Sequence, residues 1–112
     1  VVGEKHAVIH PDYPRFDNSG FLLTLGGESV YHPGDSLTTP GVPIDVLLAP
    51  ISGPWLKVSE AIDFVRAVAA PRSLGIHDRV YSEVALGMVD THMANLIGDL
   101  QFVRIPDGTD LE

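Results

Sequence analysis

A strand, a helix and a second strand follow one another directly in the middle of this sequence, and this succession most constrains the fold. Residues 45–49 are continuously apolar after Asp45, and they lie between Pro43 and Pro50. A short apolar run that prolines bound on both sides is typical of a strand buried on both faces.

The helix that follows is predicted from about residue 57 to residue 69. Its apolar positions recur at spacings of four, three and four, which places them on one helix face. They are Val58, Ile62, Val65 and Ala69, and Ala61, Phe64 and Val68 widen that face. Pro71 ends the helix, and residues 72–76 form the next strand, which ends at His77.

The remaining elements are shorter. Further strands are predicted at 7–9, 21–25, 28–32 and 102–105, and a second helix from about 82 to 100, with Ser82 as its N-cap and its buried stripe at Ala85, Val89, Met93, Leu96 and Leu100. Both methionines, Met88 and Met93, are predicted in the core. Gly26-Gly27 favours a hairpin turn. We therefore predict an α/β fold, with a mixed sheet and helices on one face, as one domain over 1–105 with a polar tail at 106–112.

Composition narrows the function classes. The 15 acidic residues outnumber the 7 basic ones, and the net charge of −8 repels nucleic acid. No apolar run reaches the roughly 18–20 residues that cross a bilayer. The chain has no cysteine, so a metal would be held by His, Asp or Glu. These features predict a cytoplasmic protein that binds neither nucleic acid nor membrane.

Three residues that suit a metal site lie at the ends of predicted elements. They are His6, Asp35 after the flexible Gly34, and His77. Loops at strand ends are where α/β folds place binding residues. Carboxylate and imidazole ligands suit zinc, manganese or iron, and two such ions about 3.5–4 Å apart can activate water.

Several segments resemble motifs of the metallo-β-lactamase superfamily. Residues 31–36 (YHPGDS) resemble its GD motif, close to the HxGDT form of the lactonase-like branch. Residues 45–51 (DVLLAPI) resemble the family's buried strand, and residues 59–61 (SEA) resemble the start of its helix. Residues 72–77 (RSLGIH) resemble its final strand, which ends at the last ligand His. Residues 3–6 (GEKH) resemble the segment that carries the third-motif His.

The resemblance implies a function and a set of ligands. Asp35 would bridge two metals, His6 would bind the first metal and His77 the second, and Asp35 and His77 would be catalytic. His10 is the alternative to His6. The complete protein would use a metal-bound hydroxide to hydrolyse a small-molecule ester, lactone, thioester, amide or phosphodiester, with zinc, manganese or iron in a dinuclear centre.

One departure from the family affects every functional expectation. The HxHxDH motif, which lies in the N-terminal half of the family's fold, is absent here. The chain corresponds to one αββα half, the C-terminal one, and it begins with Val1, so we expect a processed chain or a fragment. It would expose an apolar face that the missing N-terminal half or a second copy covers. The alternatives are a non-catalytic half-domain that packs on a partner half, and an α/β domain without metal.

The candidate residues also have structural interpretations. Asp35 is then a turn aspartate, His77 is bonded to Asp78 or to backbone, and His6 faces solvent. His32 is predicted to orient a ligand or to pack rather than to bind metal. Trp55 is predicted to pack, Ser36 lacks the surroundings of a nucleophile elbow, and His92 is a helix residue.

Overall fold

The predicted α/β class is confirmed by the computed structural model, which describes residues 1–3 and 5–105. The predicted tail at 106–112 lies outside the described residues. The elements are β1 (Phe21–Leu25), β2 (Glu28–His32), β3 (Val46–Pro50), α1 (Val58–Val68), β4 (Arg72–Ile76), α2 (Glu83–Leu96) and β5 (Gln101–Val103).

The five strands form one mixed sheet whose order follows the chain, β1-β2-β3-β4-β5. β1 and β2 pair antiparallel through a turn at Gly26 (φ 59°) and Gly27 (φ 86°), and positive φ at both positions is what glycine permits. The other neighbouring strands pair parallel. The carboxyl ends of β2, β3, β4 and β5 therefore lie at the same edge of the sheet.

Both helices pack on one face of the sheet, as predicted. Tyr31, Leu47 and Ala49 are fully buried there, in one apolar cluster with residues of α1 and α2. The Tyr31 hydroxyl donates to the Thr38 carbonyl (2.5 Å), and burial raises the pKa of Tyr31. β3 is buried along nearly its whole length, which confirms the interpretation of its continuous apolar run.

The first helix has the predicted position, and its ends have clear causes. Lys57 is the N-cap, and the Glu60 carboxylate accepts a hydrogen bond from its backbone N–H (3.0 Å). Ala69 adopts a left-handed conformation (φ 55°) as the C-cap. Ala69 is consequently exposed, so the prediction that it belongs to the buried face was wrong.

The second helix differs from its prediction in length and rotation. It begins after the predicted N-cap Ser82, but it ends at Leu96, because the chain turns at Gly98 (φ 65°). Its buried residues are Leu86, Val89 and Met93, while Ala85 is half-buried and Leu96 and Met88 are exposed. Neither helix within residues 1–3 and 5–105 has the length and apolar character needed to cross a membrane.

The predicted strand at residues 7–9 was wrong. This segment belongs to a loop that Lys5 and Asp17 close through an isolated antiparallel bridge and a 2.8 Å ion pair. The ion pair lowers the pKa of Asp17. In a strand, the Ala7 backbone N–H would donate to a carbonyl of the neighbouring strand. Here it donates to the carbonyl of Asp35 (2.8 Å). The backbone of this segment therefore connects the loop to the turn that follows β2.

The sheet face opposite the helices carries many apolar side chains, and the described residues leave most of it uncovered. We call it the open face. The strand register aligns alternate residues on it. Its exposed or half-buried apolar side chains include Phe21, Leu23, Leu25, Val30, Leu48, Leu74 and Val103, and Glu28 and Arg72 are charged residues at its margins. The sheet with helices on one side is thus one half of a sandwich.

Candidate metal centre

The three predicted site residues lie together at the carboxyl-terminal edge of the parallel strands. Asp35 follows β2 by three residues and His77 follows β4 directly. His6 comes from the N-terminal segment, which the hydrogen bond from Ala7 to the Asp35 carbonyl ties to the same place. The fold therefore brings together side chains that are far apart in the sequence.

The Asp35 carboxylate lies between two imidazoles. Its Oδ1 is 2.9 Å from His77 Nε2, and its Oδ2 is 3.4 Å from His6 Nε2. The side chain of His6 is only 15% exposed, whereas those of Asp35 and His77 are 39% and 41% exposed. The group is thus partly open to solvent, as a site that admits a ligand must be.

The orientation of the His6 ring is fixed by its neighbours. Nδ1 lies 2.6 Å from the Ala7 carbonyl oxygen, which can only accept, so Nδ1 carries the proton. Nε2 is the ring nitrogen that faces Asp35. The rings of Phe16 and Trp55 contact His6 edge-on, with centroids 6.4 and 5.9 Å away. An imidazole whose other nitrogen donates to a backbone carbonyl is typical of a metal ligand.

The turn that carries Asp35 is held by Asn18. Asn18 Oδ1 accepts from the Asp35 backbone N–H (2.9 Å), and its Nδ2 donates to the Pro33 carbonyl (2.9 Å). Gly34 has φ 70°, and a Cβ there would collide with Asn18 Oδ1, so a side chain at residue 34 would disrupt the turn. His32 Nδ1 accepts from the Gly34 N–H (3.0 Å), so its contact is with the backbone of the turn that carries Asp35.

Sequence reasoning missed both residues that support this site from other parts of the chain. Neither Asn18 nor Ser52 was singled out in the sequence. Ser52 is buried beyond β3, and its hydroxyl donates to the backbone carbonyl of His77. Asparagine and serine are frequent in turns, so their residue types alone do not reveal partners this distant in the sequence.

The other candidate side chains have different surroundings. His10 contacts Asp12 (3.8 Å) and the ring of Tyr13 rather than Asp35. His92 is exposed on α2. The buried Ser36 hydroxyl donates to the Pro33 carbonyl (3.3 Å) within the turn. Of the two histidines considered for the first ligand, the structure thus brings His6 to Asp35.

The donor set fits a metal bridged by a carboxylate but does not complete a coordination sphere. Two imidazole nitrogens and one carboxylate are ligands that zinc, manganese and iron accept. Within residues 1–3 and 5–105, no group of three or more His, Asp or Glu side chains converges well enough to hold an ion by itself. The geometry instead offers two partial sites, each made of one imidazole and one oxygen of Asp35.

A cleft of about 480 Å³ opens next to His77, beyond β4 and β5. Its lining is mixed in charge and consists of Asp78, Arg79, Tyr81, Glu83, Leu86, Arg104 and Ile105. Arg104 binds both carboxylate oxygens of Asp90 (2.8 Å each), and this pairing raises the pKa of the guanidinium group. The cleft therefore lacks the unbalanced positive charge of a dedicated anion site.

Comparisons with known proteins agree with this fold. A family model described as a β-lactamase superfamily domain matches residues 1–77, a range that contains His6 and Asp35 and ends at His77. The chain therefore belongs to this superfamily, and its fold is of the metallo-β-lactamase type.

Two curated proteins are similar to the chain. Protein Rv0786c of Mycobacterium tuberculosis is 44% identical over 93 residues, which cover 79% of this chain and 42% of that protein. A UPF0173 metal-dependent hydrolase of Carboxydothermus hydrogenoformans is 31% identical over 74 residues, covering 59% and 33%. The chain thus spans less than half the length of the curated relatives it matches.

Asn18→Ala tests the support of the Asp35 turn. It removes a partner from one backbone N–H and one carbonyl, both partly buried, so we expect the free energy of unfolding to fall by about 1–3 kcal/mol. Urea denaturation measures this. Asn95→Ala, at an exposed position of α2, is the control and should change it by less than about 0.5 kcal/mol. Equal effects of the two variants would contradict the role given to Asn18.

Proposed function

We propose that this chain contributes to a metal-dependent hydrolase in which Asp35 bridges two metal ions, with His6 bound to one ion and His77 to the other. The observation that carries the proposal is the contact of each Asp35 carboxylate oxygen with a different imidazole nitrogen. A carboxylate shared in this way is suited to reduce the repulsion between two neighbouring cations.

Relatives support the metal and the reaction class. The similar protein of Carboxydothermus hydrogenoformans is named a metal-dependent hydrolase, and the match of the family model includes all three candidate ligands. We propose zinc as the metal, with manganese or iron as the alternatives that the same ligands accept. The proposed substrates are small esters, lactones or phosphodiesters.

The residues of this chain would hold the metal ions and orient the side chains that bind them. Metal ions in such a site supply Lewis acidity and lower the pKa of water to about 7. The Ala7 carbonyl keeps the proton of His6 on Nδ1 and leaves Nε2 available as a donor. Asn18 fixes the Asp35 backbone, and the partial exposure of Asp35 and His77 leaves room for a substrate beside them.

A non-catalytic half-domain is the second candidate function. The specific observation in its favour is that the described residues contain no group of three convergent ligands. The two candidates differ in whether the full gene product that contains this chain binds metal at Asp35 and hydrolyses a substrate.

Replacement of the candidate ligands tests the proposal. In the full gene product we expect about two metal ions per chain, most of which Asp35→Ala removes, while His6→Ala and His77→Ala each remove one. Elemental analysis measures the metal content. Hydrolysis of ester, lactone and phosphodiester probes should cease with a chelator and return with zinc, manganese or iron. In the Asp35 and His77 variants, kcat/KM should fall at least about 100-fold. This loss is at or above the upper end expected for changes to residues that only support the metal ligands.

Matched controls come from exposed residues of the same types. Asp12→Ala and His92→Ala should retain both metal and activity, because Asp12 and His92 are exposed and do not contact Asp35. Equal metal content in all variants would refute the ligand assignment. Metal bound at Asp35 without hydrolysis of any probe would favour the half-domain.

We further propose that the N-terminal part of the full gene product covers the open face as a second half of the sandwich. Exposed apolar side chains that adjoin one another on one sheet face are characteristic of an interface. The curated relatives are more than twice as long as the region they share with this chain, which provides enough sequence for such a half. The same half is the proposed source of the remaining metal ligands.

Leu23→Lys and Leu96→Lys distinguish a covered from an uncovered open face. The two leucines are similarly exposed here, 45% and 49%, but Leu23 lies on the open face and Leu96 on α2. In the full gene product we expect Leu23→Lys to lower the free energy of unfolding by about 3 kcal/mol or more, because a buried charge replaces a packed side chain. Leu96→Lys should cost less than about 0.5 kcal/mol.

Sedimentation of the same proteins identifies what covers the face. A monomer that Leu23→Lys destabilises supports coverage within one chain. A dimer that Leu23→Lys dissociates would show that a second copy covers the face instead, and equal effects of both lysine variants would show that nothing does.

A further inference from the structure

Ser52 joins the ends of two neighbouring strands at the candidate site. It lies two residues beyond β3 and is 1% exposed, and its hydroxyl donates to the backbone carbonyl of His77, the residue after β4. One residue earlier, the segments that follow β3 and end β4 are linked by the hydrogen bond from the Ile51 N–H to the Ile76 carbonyl (3.1 Å). Ser52 thus extends the contact between the strands by one side-chain bond.

His77 has a backbone conformation that residues other than glycine rarely adopt. Its φ is 56°, in the left-handed region, which costs a residue with a Cβ free energy and persists only where the surroundings enforce it. In this conformation the ring Nε2 lies 2.9 Å from Asp35 Oδ1. The orientation of the candidate ligand therefore depends on what holds the backbone of residue 77.

We propose that Ser52 is a positioning residue, whose hydroxyl holds His77 in the left-handed conformation and so directs its imidazole to Asp35. This inference rests on the proposed metal site, because it assigns a function to the orientation of His77. Ser52 acts through the backbone of residue 77, because its hydroxyl donates to the His77 carbonyl.

Ser73 provides a matched control within the same sheet. It is also 1% exposed and lies on β4, four residues before His77, but its hydroxyl has no hydrogen-bond partner among the described residues. Removing an unpartnered buried hydroxyl is close to neutral. Ser52→Ala and Ser73→Ala therefore remove the same group from equally buried positions, and only the first removes a bond to His77.

The experiment compares zinc affinity and the φ angle of residue 77 in the full gene product, its Ser52→Ala variant and its Ser73→Ala variant. Competition with a chelating dye measures the affinity, and NMR couplings of the His77 amide report φ. We expect Ser52→Ala to weaken zinc binding about 10–100-fold and to shift φ to negative values, while Ser73→Ala changes neither. Unchanged affinity and φ in Ser52→Ala, or equal losses of affinity in both variants, would overturn the proposal.

Two further outcomes remain decisive. If Ser52→Ala does not fold, the wild-type protein decides: a positive φ at His77 with a Ser52 hydroxyl proton protected from exchange supports the proposal, and a negative φ overturns it. If the wild type binds no zinc, the metal site fails, but the φ angles of wild type and Ser52→Ala still test whether Ser52 controls the backbone of His77.

Discussion

The parallel pairing of β2, β3 and β4 is the constraint on which the candidate site depends. Because these strands run in one direction, the segments that follow them meet at one edge of the sheet. Those segments carry Asp35, Ser52 and His77 respectively. The buried residues of β3 pack against α1 and hold the central strand in place. His6 is brought to the same edge by the backbone bond between its neighbour Ala7 and Asp35.

The sequence predicts best what neighbouring residues determine, such as the glycine turn and the continuously apolar β3. Prediction from the sequence fails where residues distant in the sequence determine which side chain is buried or hydrogen-bonded. Ala85 and Leu86 are both apolar, so only packing against the sheet reveals that Leu86 is the buried one. The resemblance to a family selected the three candidate ligands, and the fold brings them together. Asn18 and Ser52 could not be predicted, because each acts on a backbone group 15 to 25 residues away.

The candidate metal site and the sheet are both incomplete within the described residues. The candidate site has one carboxylate and two imidazoles, but each imidazole contacts a different carboxylate oxygen. Within residues 1–3 and 5–105, no three ligands converge on the position of a single ion. The sheet has helices on one face and exposed apolar side chains on the other. A second half of the sandwich would bury the apolar face and could supply ligands at its edge. A single added element would thus account for both features, which is why we propose the two together.

Crystals of the full gene product grown with zinc, measured by anomalous diffraction on both sides of the zinc absorption edge, would show whether Asp35 joins two metal ions. We expect two anomalous peaks beside Asp35, one within bonding distance of Oδ1 and of Nε2 of His77, the other within bonding distance of Oδ2 and of Nε2 of His6. The absence of zinc at Asp35, with its carboxylate still paired directly to the two imidazoles, would refute the proposed metal site.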